Sequence, residues 1–378
     1  MRAASVLVAT LFMLGALTAW LGAGGPGRLS VSDGAQGMLV EPAPARQPAT
    51  ERRASGDEGR EARAALPGSG DSGTDETGTD NADPAPQEAS AGAETGTTSD
   101  ARAEDGSEVP MPPAVGPQPL DRRVILSGHS LTDPMDRALP QLVRAAGGPA
   151  GTIALSTIPG APMDWRWNNR THPPDARTDI GDFDVMVQTE RVALSGTRPW
   201  HNSDEEALRW ARHGWENGAD GQGAEVLLYA TWVSLDTGPG HDTHGDPDRD
   251  LPWRERLDRE FAGWEAIMAQ VNANRPEGAP PMRMIPATLV MAEVHDAIEA
   301  GEAPAGLSDI RQLFTDDIHL SPMGAWLVAL THYAVIYARD PRGLPGPDRQ
   351  AAPELVDWAQ DLVWRVVTGY RGTGVRGS

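Results

Sequence analysis

The sequence of 378 residues contains neither cysteine nor lysine. Without cysteine the chain has no disulfide, no thiolate nucleophile, no cysteine metal site and no lipidated N-terminal cysteine. All cationic side chains other than histidine are arginines. The sequence has 32 arginines and 54 acidic residues, which gives a net charge of −22. This charge argues against nucleic acid or an anionic membrane surface as a partner.

Residues 1–25 have the pattern of an export signal. Arg2 precedes an apolar run that ends near Leu21, and small residues follow. The run is close to the length that spans a bilayer, so a retained N-terminal membrane anchor is the alternative to a cleaved signal peptide. Either interpretation predicts a periplasmic or secreted protein, tethered to the inner membrane in the second case.

Residues 26–118 are rich in Ala, Gly, Ser, Thr, Pro, Asp and Glu. From Glu51 to Pro110 there are 15 acidic and 5 basic residues and no aromatic residue. Such a composition cannot bury enough apolar surface to offset the entropy of ordering, which predicts a disordered acidic tether. The folded domain is expected over residues 119–378, which are enough for one sizeable core.

Within that domain, buried β-type runs alternate with helical periodicity, which predicts an α/β protein with a mostly parallel sheet and helices on both faces. The expected strands are Arg123–Leu126, Thr152–Thr157, Phe183–Thr189, Ala224–Thr231 and Arg283–Ala287. The expected helices are Pro134–Ala146, Ser203–Asn217, Arg254–Asn274, Thr288–Gly301, Pro322–Tyr337 and Pro353–Thr368. The polar stretch Asp164–Arg177 is expected to be a loop.

The stretch Val124–Asp133, VILSGHSLTD, is the first candidate site. A buried strand there ends in Gly128, which allows a tight turn, and Ser130 follows at the expected start of a helix. A serine in this place is positioned as a nucleophile if a base can reach it. Capping of a helix is the simpler alternative for an isolated serine.

The base is expected from Leu313–Gly324, LFTDDIHLSPMG, taken as the last strand-to-helix connection. Loops of this kind gather at one edge of a parallel sheet, so His319 can meet Ser130 across 189 positions. His319 can accept the serine proton, and Asp316 can orient the imidazole and stabilise its charged form. Asp317 is the competing orienter.

These two blocks, GHSLTD and DxxH, resemble the first and last blocks of the SGNH (GDSL-type) hydrolase superfamily over about residues 120–340. The resemblance implies a three-layer α/β/α sandwich of flavodoxin-like topology and esterase chemistry, with Ser130 as nucleophile, His319 as base and Asp316 as orienter. It also implies an oxyanion hole that includes the backbone N–H groups of Ser130 and Gly160.

The GxND block that usually supplies a third oxyanion donor is missing, because the third strand ends in VQTERV. Gln188 is the first candidate for the missing amide, and Asn202 is the alternative. One such donor is typically worth about 10²–10³ in rate, so its identity matters.

Several other residues are candidates for substrate binding. His129 adjoins the nucleophile, although a turn-stabilising role is the simpler interpretation. Trp165, Trp200 and Trp232, or Thr231 beside the last, lie at expected strand ends or in the loop after Gly160, where aromatics can stack on sugars or pack in the core.

Another polar loop holds His241 and His244 among aspartates. A metal site is conceivable there, but a solvated acidic loop is the simpler interpretation, and no metal or cofactor is predicted.

The sequence therefore predicts an extracytoplasmic serine esterase, with a small-molecule or glycan ester as substrate and a carbohydrate or cell-envelope O-acetyl ester as first choice. A lipase or thioesterase, an acyltransferase on the same residues, and a glycan-binding scaffold without catalysis are the alternatives.

Overall fold

A computed structural model describes residues 111–236 and 246–377. The predicted export segment 1–25, the tether up to residue 110, and His241 and His244 lie outside the described residues. In the described ranges no helix is both long and apolar enough to cross a membrane.

A five-stranded sheet forms the centre of the domain, and all its strands run parallel. Their order across the sheet is β2-β1-β3-β4-β5, the flavodoxin-like order. The strands are β1 (Val124–Gly128), β2 (Ile153–Thr157), β3 (Val185–Gln188), β4 (Glu225–Ala230) and β5 (Arg283–Pro286). This arrangement confirms the predicted α/β fold class.

Eight α-helices accompany the sheet in the described ranges. They are α1 (Met135–Ala145), α2 (Met163–Asn168), α3 (Leu194–Trp200), α4 (Ser203–Gly221), α5 (Trp253–Ala273), α6 (Ala287–Glu299), α7 (Pro322–Ile336) and α8 (Pro353–Gly369). Short 3₁₀-helices occupy Ile180–Asp182, Ile310–Leu313 and Arg371–Thr373.

Side chains that alternate along each strand separate the core into two apolar layers. Val124 and Leu126 of β1 belong to the layer that includes residues of α1, α6, α7 and α8, whereas Ile125 belongs to the layer that includes residues of α4 and α5. Helix α7 is buried almost all round, because it lies between the sheet and α8. The three layers are the α/β/α sandwich expected from the sequence.

Two short helices differ from the predictions. Helix α2 occupies the start of the stretch predicted as a loop, where Trp167 packs edge-to-face on Trp210 of α4 at 5.0 Å. Helix α3 was not predicted, and it places Trp200 at a helix C-terminus instead of a strand end. Both helices are too short to carry a clear periodic pattern, so tertiary contacts decide them.

The start of the domain also differs from the prediction. Residues 111–118, assigned to the tether, pack along the domain, since Val115 N–H donates to Gly374 O at 2.9 Å and Gln118 N–H donates to Tyr337 O at 2.7 Å. The partners lie more than 200 positions along the chain, where no local pattern could indicate them.

Strand β1 lies between β2 and β3, so the chain leaves it in one direction to β2 and returns on its other side to β3. Ligand sites of open α/β sheets lie at such a switch point, outside the carboxyl ends of the strands. Ser130 follows β1 at that point.

Candidate active site

The nucleophile turn follows directly from β1. The chain leaves Gly128 through consecutive turns, in which Thr132 N–H donates to His129 O at 2.7 Å and Met135 N–H donates to Thr132 O at 3.0 Å. A Cβ atom at Gly128 would overlap Thr132 Oγ1, so only glycine fits. Helix α1 begins at Met135, so Ser130 lies in a turn. The prediction that Ser130 lies at the start of a helix is therefore wrong.

Ser130, His319 and Asp316 form a hydrogen-bonded relay. Ser130 Oγ lies 2.9 Å from His319 Nε2, and His319 Nδ1 lies 2.8 Å from Asp316 Oδ2. Because a carboxylate can only accept, this geometry places the imidazole proton on Nδ1 and leaves Nε2 to accept the serine proton. Such an arrangement can deprotonate a serine as it attacks an electrophile.

The carboxylate of Asp316 is held by its own loop. Its Oδ1 accepts the backbone N–H groups of His319 at 2.6 Å and Ile318 at 2.8 Å. These N–H groups, with the imidazole, lower the pKa of Asp316 to about 2. Asp316 is therefore an anion near pH 7.

The loop that carries both residues is a tight hairpin without a preceding strand. Thr315 N–H donates to His319 O at 2.8 Å, and Ser321 N–H donates to Leu313 O at 2.9 Å. The prediction of a strand-to-helix connection is wrong at this point: the loop joins the 3₁₀-helix Ile310–Leu313 to α7. A Cβ atom at Gly324 would overlap Leu313 O, so α7 lies directly against the loop.

The segment after β4 forms hydrogen bonds to the loop that carries Asp316 and His319. The indole N–H of Trp232 donates to Ile318 O at 2.9 Å, Ser234 Oγ donates to Asp317 Oδ2 at 2.6 Å, and Leu235 N–H donates to Asp317 O at 2.7 Å. Trp232 is fully buried and packs edge-to-face on Phe314 at 6.1 Å.

Two expectations are corrected by these contacts. Trp232 does not face substrate, because its ring is enclosed in the core and its polar atom binds the loop. Asp317 does not orient His319, because its carboxylate accepts from Ser234 instead. Thr231 is buried as well, and its carbonyl accepts from Thr288 and Trp264.

Two backbone N–H groups are available for an oxyanion. Within the described residues, the N–H groups of Ser130 and Gly160 have no hydrogen-bond partner. Gly160 is exposed and has a φ of 66°, and its loop is joined to the nucleophile turn because Ile158 N–H donates to Gly128 O at 3.1 Å. Free N–H groups of this kind can stabilise negative charge on a tetrahedral intermediate.

Of the two predicted side-chain donors, Gln188 does not fit a third place beside these N–H groups, and Asn202 stays a prediction. Gln188 is completely buried, and its amide donates to Ala207 O of α4 at 3.2 Å. It points into the α4 layer because it shares a strand face with Met186. Asn202 is exposed at the junction of α3 and α4, where it adopts a left-handed conformation with a φ of 50°.

Arg166, Glu190 and His129 form a buried polar cluster next to the turn that carries Ser130. Arg166 donates to Ser127 Oγ at 2.7 Å and also to Thr189 O, which joins α2 to the ends of β1 and β3. Glu190 Oε1 accepts Met163 N–H at 3.0 Å. Burial lowers the pKa of Arg166 to about 10 and raises that of Glu190.

His129 belongs to this cluster and does not face substrate, which corrects the substrate-binding expectation. It is 3% exposed, its Nε2 lies 3.0 Å from Glu190 O, and its Nδ1 accepts Leu131 N–H at 3.4 Å. Burial lowers the pKa of His129 to about 4, so the ring is neutral near pH 7. It stabilises the turn.

Sequence reasoning missed Arg166 and Glu190. Arg166 is a charged residue between two tryptophans, and Glu190 is a charged residue directly after a predicted buried strand. Such residues are usually solvated, and only the fold shows that these two are buried.

The described residues contain no group of His, Asp or Glu side chains suited to a metal ion. Asp246 follows the polar loop that holds His241 and His244. Its Oδ2 lies 2.5 Å from Arg256 Nη2 in a buried ion pair, and its Oδ1 accepts from Ser195 Oγ. A cavity of about 550 Å³ lined by Trp167, Arg209 and His213 contains none of the three relay residues.

Comparisons with known proteins report likeness of fold. No family model and no curated protein matches this chain. A solved DUF4886 family protein from Bacteroides uniformis is 14% identical, with a TM-score of 0.47 over 65% of this chain and 93% of its own.

Two further solved structures are similar. One, from Slackia heliotrinireducens and provisionally assigned to the SGNH hydrolases, is 18% identical with a TM-score of 0.37, over 56% of this chain and 96% of its own. The other, an acetyl xylan esterase, is 14% identical with a TM-score of 0.35, over 56% and 98%. The parallel sheet of order β2-β1-β3-β4-β5 between helical layers is the flavodoxin-like α/β/α sandwich that the sequence predicts.

Proposed function

We propose that this protein is an extracytoplasmic serine ester hydrolase that acts through an acyl-enzyme on O-acetyl esters of carbohydrate or cell-envelope glycans. The observation that carries the proposal is the relay in which Ser130 Oγ, His319 and Asp316 are joined by hydrogen bonds of 2.9 and 2.8 Å. The extracytoplasmic location rests on the pattern of residues 1–25.

In the first half-reaction, Ser130 Oγ attacks the ester carbonyl carbon while its proton moves to His319 Nε2. The carbonyl oxygen becomes an oxyanion, which the N–H groups of Ser130 and Gly160 stabilise. The intermediate then expels the alcohol, which takes the proton from His319, and the acyl group stays on Ser130.

In the second half-reaction, water attacks the acyl carbon and gives a proton to His319, which returns it to Ser130 as the carboxylic acid leaves. Asp316 stays ionised throughout and stabilises the imidazolium.

Exposure of the site favours water over another alcohol as acceptor. The side chains of His319 and Asp316 are 44% and 49% exposed, so water reaches the acyl carbon freely. An acyltransferase must exclude water at this step.

The proposal is tested on the full chain with p-nitrophenyl acetate. We expect Ser130→Ala and His319→Ala to lose about 10²–10⁴ in kcat, because each removes a member of the relay. Ser308→Ala, which changes an exposed serine elsewhere, serves as the matched control. A serine-directed fluorophosphonate should label the parent chain and the control.

The two readouts together decide the matter. Equal turnover by the parent and both relay variants, or labelling that persists in Ser130→Ala, contradicts the proposal. The proposal is supported if Ser130→Ala loses both turnover and labelling while Ser308→Ala keeps both.

A further inference from the structure

Two tryptophans remain unexplained by packing. Trp165 is 57% exposed and Trp200 is 82% exposed, and they are the exposed large hydrophobic side chains of the described residues. An indole offers a large apolar face that a ligand can cover.

A hydrogen-bonded pair joins the two backbone segments that carry these tryptophans. Asp164 Oδ2 lies 3.0 Å from His201 Nδ1, which joins α2 to the turn after α3. Trp165 directly follows Asp164, and Trp200 directly precedes His201. Two exposed tryptophans that are 35 positions apart in sequence are therefore the chain neighbours of a single carboxylate–imidazole pair.

Helix α2, which carries Asp164 and Trp165, is connected to the candidate active site through Glu190. Helix α2 starts three residues after Gly160, and its first N–H, that of Met163, donates to Glu190 Oε1 at 3.0 Å. The carbonyl of Glu190 lies 3.0 Å from Nε2 of His129, the residue before Ser130. The same buried cluster thus supports the nucleophile turn and the helix that carries Trp165.

The Asp164–His201 pair retains hydrogen-bonding capacity. The side chains of His201 and Asp164 are 22% and 38% exposed. In the described part of the chain, His201 Nε2 has no partner. A ligand that contacts both indoles and this pair would therefore meet apolar faces and hydrogen-bonding groups together.

We propose that Trp165, Trp200, Asp164 and His201 form a saccharide platform, which binds the sugar part of the ester that Ser130 attacks. The proposal rests on the proposed function above. A pyranose ring fits this surface because its C–H face stacks on the electron-rich indole face while its hydroxyls hydrogen-bond to the pair.

The chemistry of the platform favours an uncharged saccharide. A lipid acyl chain would cover the Asp164–His201 pair with groups that cannot hydrogen-bond, at a cost in desolvation. An anionic polymer would meet the Asp164 carboxylate and a chain of net charge −22. A neutral glycan avoids both penalties.

Binding can be measured separately from turnover in the full chain carrying Ser130→Ala. Soluble xylan and cellohexaose serve as neutral saccharide probes, and phosphatidylcholine vesicles serve as the apolar alternative. In that background, Trp165→Ala and Trp200→Ala should each raise the saccharide Kd about tenfold, the size expected for one stacked aromatic contact. Trp165→Phe should restore part of the affinity.

A matched control comes from Trp358→Ala, which removes a half-buried indole from α8 and should leave saccharide binding unchanged. Thermal melting of every variant shows that the fold is intact. The platform is disproved if the Ser130→Ala chain binds neither saccharide, if both tryptophan variants bind as tightly as that chain, or if vesicles are bound in place of saccharide.

The outcome is independent of the catalytic proposal. Should binding depend on both indoles while Ser130→Ala retains esterase turnover, the platform stands and the hydrolase proposal fails. The reverse result, serine-dependent turnover with indole-independent binding, leaves the hydrolase and removes the platform.

Discussion

Asp316 and Asp317 are adjacent carboxylates of the same chemistry with different partners. Asp316 accepts from the imidazole and from two backbone N–H groups, whereas Asp317 accepts from Ser234. The side chains of Asp316 and Asp317 point in different directions in this tight loop. Asp316 therefore contacts the imidazole, and Asp317 contacts the segment after β4.

The pair of variants Asp316→Asn and Asp317→Asn tests this division. Asp316→Asn removes the charge that stabilises the imidazolium, and the new amide can favour the wrong tautomer of His319. The kcat for an acetate ester should therefore fall about 10²–10⁴-fold. Asp317→Asn keeps the relay intact and should cost less than about tenfold. A larger loss in Asp317→Asn than in Asp316→Asn would reverse the assignment.

At the same scale, Gln188 and His129 illustrate where residue-level prediction fails. Both were placed correctly at the ends of β3 and β1, but the sequence could not say which way their side chains point. Gln188 turns to Ala207 and His129 turns to Glu190, because α4 and the segment after β3 offer partners in the interior.

Among the elements, the segment after β4 has the clearest effect on the candidate site. It makes three hydrogen bonds to the residues just before His319, and the one from Trp232 comes from a fully buried indole. The position of His319 is thus set by an element that supplies none of the three relay residues.

Substitution of Trp232 by Phe isolates this effect, since it keeps an aromatic ring and removes the N–H donor to Ile318. We expect kcat to fall about tenfold to hundredfold with a smaller change in KM, because a misplaced base affects the chemical step most. Steady-state kinetics with p-nitrophenyl acetate measures both parameters.

Trp326→Phe is the matched control. The indole of Trp326 is also buried and donates to a carbonyl, Pro345 O, at the same 2.9 Å, but on a different loop. Both variants should lose about 1–3 kcal/mol of unfolding free energy. Equal loss of kcat in the two would show that stability, and not loop position, is responsible.

At the scale of the whole molecule, buried ionisable groups link stability to pH. Glu260 is 3% exposed, and burial raises its pKa from 4.5 to about 8 although both its oxygens accept from Leu194 N–H at 3.0 Å. His129 and His332 are buried too, and burial lowers the pKa of each from 6.5 to about 4.

These two kinds of group act in opposite directions. Between about pH 4.5 and 8 the folded chain keeps a proton on Glu260 that the unfolded chain releases, so the stability from this group is lost as pH rises through that range. Between about pH 4 and 6.5 the unfolded chain holds protons on the histidines that the folded chain lacks, so their contribution is lost as pH falls.

The variant Glu260→Gln should therefore flatten the decline of stability on the alkaline side and leave the decline on the acid side. The difference between parent and variant should grow by a few kcal/mol from pH 5 to pH 8, which urea unfolding at each pH can measure. A constant difference across this range would show that Glu260 titrates normally in the folded chain.

The sequence by itself determined the alternation of strands and helices, the parallel sheet, and the two blocks that carry Ser130, Asp316 and His319. These features depend on local patterns: apolar runs, helical periodicity, and glycine at a tight turn. The regular part of α4 even ends where it was predicted, since the backbone leaves helical angles at Gly218.

Only the tertiary structure decided which side chains at the sheet edge face solvent and which are buried. It enclosed Trp232 and His129, exposed Trp200, buried Arg166 and Glu190, and packed residues 111–118 on the domain. The physical reason is that each of these outcomes depends on partners far away in sequence, whose identity and direction are fixed only when the layers pack.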